Sequence, residues 1–163
     1  MKKGFTLIEI IIVAALLGIL AAIVIPQFRE QSLLAKAAAA KADLRILRGA
    51  IEYYAVQHNG FAPGYYEGEL GLSFLVPLQL TSYTDETGNA ASSKSEDFPL
   101  GRYLKTIPEN PFNNKTSIEM LADAESFPES ADGSFGWLYK PATKTIRLDW
   151  PGTDKDGVRY YDY

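Results

Sequence analysis

Glu9 asks most insistently for a chemical explanation in this chain of 163 residues. It stands at the mouth of an unbroken apolar run from Ile10 to Ile25. An ionisable group inside such a segment costs about 2.5–3.5 kcal/mol on insertion scales and marks a function by default. A second concentration of carboxylates lies in the last fifteen residues, where Asp149, Asp154, Asp156 and Asp162 surround Gly152-Thr153-Asp154-Lys155-Asp156-Gly157. Hard cations such as Ca²⁺ take about six to eight oxygens from carboxylates and carbonyls. The four aspartates are therefore candidate metal ligands, with a solvated Asp/Gly turn as the alternative. The glycine comes too early for an EF-hand, and no glutamate follows at the required distance. His58 is the only histidine. It falls at an expected helix end, where a cation is mildly favoured, and no nucleophile or orienting partner accompanies it as a general base requires. Asn114-Lys115-Thr116 fits the glycosylation acceptor pattern, a short pattern that recurs by chance.

The elements that must carry these residues begin with the N-terminal segment. From Gly4 to Ile25 it counts 22 residues, enough to cross a hydrocarbon core of about 30 Å at about 1.5 Å per residue. A secretory signal places its small-residue cleavage site after the apolar core. Here the natural cut, Gly4/Phe5, precedes it, so the apolar segment is expected to be retained. The helical pattern continues beyond Pro26. Ala35 to Ala42 is rich in the best helix former, and Leu44, Leu47, Ile51 and Tyr54 recur at spacings of three and four. Asn59-Gly60 suits a left-handed cap and Pro63 prevents continuation, which predicts a helix end near His58. Gly18 and Pro26 are the places where so long a helix is expected to bend, since proline removes a donor and crowds the preceding turn.

After Pro63 the chain is cut by Gly and Pro. Gly64 to Gly71 reads as a turn region, Leu72 to Leu80 as a short helix or strand, and Tyr83 to Glu96 as a polar loop. Gly136–Lys140 and Lys144–Trp150 read as an antiparallel hairpin around Pro141-Ala142-Thr143. Ile146, Leu148 and Trp150 form its one buried face. The fold class is α+β: a long N-terminal helix, membrane-spanning in its first half, packed on a small antiparallel sheet with a C-terminal loop.

Lys2-Lys3-Gly4-Phe5-Thr6-Leu7-Ile8-Glu9, with Pro26 just past the apolar run, resembles the prepilin signature of type IV pilins and type II secretion pseudopilins. The segment Tyr103-Leu104…Pro108-Glu109-Asn110-Pro111-Phe112 and the Gly136–Arg147 hairpin are similar to the major pseudopilin. The resemblance implies a leader over residues 1–4, cleavage after Gly4 by a prepilin peptidase, and methylation of Phe5. It implies a transmembrane and filament-core helix over 5–28, and a periplasmic globular domain over 29–163 that includes the second half of the helix. Glu9 would guide assembly, and Pro26 would act as an assembly-linked hinge. A buried carboxylate is tolerable when an opposite charge lies close by, and the free amine of Phe5 on a neighbouring subunit would supply that charge. Further implications are a homo-oligomeric filament, contact with an inner-membrane assembly platform and minor pseudopilins, a single-pass place in the bacterial inner membrane, and calcium in a C-terminal loop. Two rivals stay open: a type IV pilin for adhesion, motility or DNA uptake, and a membrane-anchored extracytoplasmic binding module or enzyme.

Composition narrows the field further. There is no Cys, which removes disulfides, thiolate nucleophiles and cysteine zinc sites. Many pilins staple their C-terminal region with a disulfide, so its absence leans toward the pseudopilin. Arg29 to Arg48 holds five bases against two acids, whereas Tyr53 to Tyr163 holds nine against sixteen. The acidic remainder argues against nucleic acid as a partner. The basic stretch is expected to meet anionic lipid or acidic faces of neighbouring subunits, or to be a solvated helix face. The ten tyrosines lack basic interleaving and suit packing or subunit contact.

Overall fold

The structure is a computed structural model that describes residues 6–163. Helix α1 runs over Leu7–Gln57 without a break at Gly18 or Pro26. It ends as Asn59 and Gly60 turn to φ of 54° and 92°, and the Gly60 N–H reaches back to the Ala55 carbonyl at 2.8 Å. That is the Schellman closure expected of Asn-Gly after a helix. The chain divides into two compact units between Ala35 and Lys36.

In the first unit α1 presents apolar side chains outward along its whole length, from Leu7 at 81% exposure to Phe28 at 72%. In the second unit α1 buries Ala37, Ala40, Leu44, Leu47, Ile51 and Tyr54. These are the three- and four-residue spacings of one helix face.

That face packs on a three-stranded sheet of β6 (Ile118–Met120), β7 (Trp137–Lys140) and β8 (Thr145–Leu148). The β7–β8 hairpin is antiparallel, with Trp137 opposite Leu148 and Tyr139 opposite Ile146. Pro141–Thr143 form a 3₁₀ turn, and Lys144 takes φ of 53° to re-enter the strand. One buried face was expected, yet Trp137, Leu138 and Tyr139 are all buried. Ala131 and Tyr161, with Phe127 and Phe135, cover the far side of Leu138. The third strand, β6, joins in parallel beside β7 and has no counterpart among the expected elements.

Before this sheet come β1 (Tyr65–Tyr66) and β2 (Glu69–Leu70), the short helix α2 (Leu75–Thr81), and β3 (Tyr83–Thr84), β4 (Ala90–Ala91) and β5 (Leu100–Gly101). The β1–β2 turn places Glu67 and Gly68 at φ of 51° and 82°, the pair of positive angles that a two-residue hairpin needs. Tyr83–Glu96 departs from the expected loop, because β3 is central to a sheet of order β4-β3-β5. Asp85 folds the segment back: its carboxylate accepts the Thr87 and Asn89 N–H groups at 2.9 Å each. Such Asx turns let a polar stretch become ordered without an apolar core.

Asn110 fastens the preceding segment to the hairpin. Its side-chain amide donates to the Gly136 and Asp149 carbonyls at 3.0 and 3.2 Å, and its oxygen accepts the Phe112 N–H. The Trp137 indole donates to the Pro108 carbonyl at 3.0 Å.

Candidate functional site

At the start of α1 the Thr6 N–H and hydroxyl each donate to Glu9 Oε2 at 2.7 Å, and the Glu9 N–H donates to Thr6 Oγ1 at 3.3 Å. Thr6-Leu7-Ile8-Glu9 is thus a capping box, in which side chains satisfy orphan donors of the first helical turn. The Thr-x-x-Glu spacing that signals this box is present in the sequence itself. Glu9 therefore has a local partner within its own subunit, and the first turn is pre-formed around its carboxylate. Gly4 and Phe5 lie outside the described residues. Pro26 sits inside continuous helix.

The C-terminal aspartates are not gathered around one point. Asp149 is buried and accepts the N–H groups of Asp132 and Gly133 at 3.1 Å and of Phe135 at 2.8 Å. This is a closed backbone cradle for an anion. Asp162 binds the Arg159 guanidinium at 2.6 and 3.1 Å. Asp154 accepts the Asp156 and Val158 N–H groups and the Tyr163 hydroxyl, the last at 2.7 Å. Asp156 pairs with Lys155 at 2.8 Å. As arranged, these residues do not fit one calcium ion: the carboxylates are already bound by protein donors, and Asp154, Asp156 and Asp162 are each accompanied by a cation. Among the described residues no three His, Asp or Glu side chains approach closely enough to hold a metal.

The Tyr163 hydroxyl foremost, with the Val158 and Asp156 N–H groups and Lys41, holds the Asp154 carboxyl below its ordinary pKa. A depressed carboxylate contributes stability that is full above its unfolded pKa and is lost only as pH falls through the folded one. The loop is accordingly expected to hold through mild acid. Lys41 also stands 3.9 Å from the Tyr163 ring centroid, and Arg48 donates to the Tyr163 and Ile146 carbonyls at 3.0 and 3.3 Å.

His58 is not a solvated capping cation. It is 1% exposed, its ring stacks on Tyr54 with centroids 3.7 Å apart, and its Nδ1–H donates to the Tyr54 carbonyl at 2.8 Å. Burial lowers its pKa, with the Tyr54 and Asp85 carbonyls acting in the other direction. Asn114 is exposed in a left-handed turn.

A family description, "Prokaryotic N-terminal methylation motif", matches residues 1–25. The "Type II secretion system core protein G" of Pseudomonas aeruginosa is 35% identical over 113 residues, which cover 69% of this chain and 70% of that protein. The chain belongs to the type II secretion system core protein G family. The protein of the same name from Aeromonas hydrophila is 29% identical over 138 residues, 83% of this chain and 87% of the relative. A "Fimbrial protein" of Pseudomonas aeruginosa is 45% identical, but over 51 residues only, about a third of either chain. No solved structure matches. The architecture of this chain, a long N-terminal apolar helix with small β-sheets, is pilin-like. Its α1 is long and apolar enough to cross a membrane, so the chain is a membrane-anchored, single-pass protein.

Proposed function

We propose that this chain is the major structural subunit of a type II secretion pseudopilus and that it acts mechanically, with no catalytic role. The observation that carries the reading is the first unit of α1. An apolar helix with a pre-formed first turn at Glu9 exposes bulky side chains on every face, and such a surface needs either lipid or other helices around it. In this reading a prepilin peptidase cuts after Gly4 and Phe5 becomes the methylated N-terminus. The second unit faces the periplasm, and subunits leave the inner membrane through an assembly platform, with minor pseudopilins as further partners. Glu9 pairs with the Phe5 amine of a neighbour, and Pro26 supplies local play in the helix. Removing the protein from its bacterium is expected to leave secreted proteins in the periplasm, and overproducing it to give filaments in the sheared fraction. Intact secretion together with lost surface fibres would assign it instead to the fimbrial branch.

The C-terminal loop, in our reading, is held by protein groups, with Tyr163 and Lys41 at Asp154 where the composition suggested calcium. Equal melting temperatures in calcium and in chelator are expected. An ion bound only by the folded protein adds about 2.7 kcal/mol at a hundredfold excess over its Kd. A rise of several degrees in calcium, erased by Asp156→Ala, would restore the ion.

A further inference from the structure

Where α1 ends, Tyr54, His58, Phe61 and Tyr65 wall a cleft of about 470 Å³, and Glu67 and Glu86 stand at its lip. No residue lining it is positively charged. Gln79 sets its shape, since its buried side chain accepts the Gly64 N–H and donates to the Tyr65 and Gly88 carbonyls at 2.7–2.8 Å. Three strands of loop are thus fixed by one amide. His58 adds its ring to this wall, with its Nδ1–H committed to the Tyr54 carbonyl at 2.8 Å. Aromatic walls and two carboxylates, with no cation among the lining residues, together describe a receptor for a flat cation with several N–H groups, which is a guanidinium.

The same chain carries that group elsewhere. Arg29 and Arg45 are exposed on α1, and among the described residues neither makes an ion pair. Both lie in the basic stretch, whereas the cleft opens in the acidic remainder. A patch near one end of α1 that recognises a different patch further back is a heterologous contact, and a heterologous contact that does not close generates a helical filament.

We propose that this cleft is a subunit-docking pocket, occupied in the filament by an arginine side chain from α1 of a second copy. The inference rests on the filament reading above and adds to it a contact outside the apolar helix. Its test uses the full chain in producing cells, with filaments recovered by shearing. Glu67→Lys/Glu86→Lys is expected to lower filament yield at least tenfold while the melting temperature stays within a few degrees of wild type. Adding Arg45→Glu or Arg29→Glu to that variant restores assembly with whichever arginine is the occupant. The chain has no cysteine, so Glu86→Cys paired with Arg45→Cys, or with Arg29→Cys, gives a clean second readout. Oxidised filaments of the correct pair run as a ladder of cross-linked chains, whereas Glu129→Cys with the same partners stays monomeric. Wild-type filament yield from the reversed pocket, or a loss rescued by neither arginine and cross-linked by neither pair, would overturn the docking pocket and leave the filament reading intact. Absence of filaments from the wild-type chain itself would overturn both.

Discussion

Glu9→Gln is expected to leave the subunit inserted and folded while abolishing filaments. Glutamine still serves a capping box, so the hydrogen bonds from Thr6 that fix the first turn of α1 survive, and only the charge is lost. Removing one partner of a buried ion pair costs about 3–5 kcal/mol because the other charge is stranded. Since about 1.4 kcal/mol is a factor of ten, each docking step weakens by roughly a hundredfold or more. Glu9→Ala loses the cap as well, adding about 1 kcal/mol at the helix start. Comparing the two variants by filament yield and by membrane content separates the roles. Wild-type filament from Glu9→Gln would reduce Glu9 to a cap.

The largest effect on folding is expected at Asp149. Asp149→Ala strands three backbone N–H groups at a site the carboxylate fills, at about 1–3 kcal/mol for each unsatisfied buried donor. Allowing for partial relaxation, a loss of about 4 kcal/mol lowers Tm by roughly 10–20 °C. Asp149→Asn should fall between, as the amide offers one acceptor oxygen in place of two. A melting temperature within a degree of wild type would show that the cradle contributes nothing. The same measurement in chelator should give the same difference, because the donors belong to the backbone.

What was legible beforehand was local. The end of α1 near His58 followed from Asn59-Gly60 and Pro63, and the β7–β8 hairpin from alternation around Pro141-Ala142-Thr143, because each signal lies within a few residues of its effect. The parallel strand β6 was not legible. Ile118–Met120 is three residues long, too short for a period to register, and its partner β7 lies beyond a stretch of turns. The ordering of Tyr83–Glu96 rests on one Asx turn at Asp85, and the pairing of β3 with β5 depends on tertiary approach. Asp149 looked like a metal ligand because composition reports how many carboxylates are near in sequence. It does not report that Asp132, Gly133 and Phe135 turn their N–H groups toward one of them. His58 likewise read as a helix-end cation, since its stacking on Tyr54 is a consequence of packing. The Thr6–Glu9 capping box was present in the sequence as a pattern and became visible only as a pair of 2.7 Å contacts.

The central claim is that the apolar half of α1 is kept and becomes the body of a filament. Intact-mass analysis of the subunit recovered from sheared filaments tests it most directly. The account predicts a chain beginning at Phe5 and carrying one added methyl group; a mature chain beginning beyond Ala22, with the apolar segment removed, would contradict it.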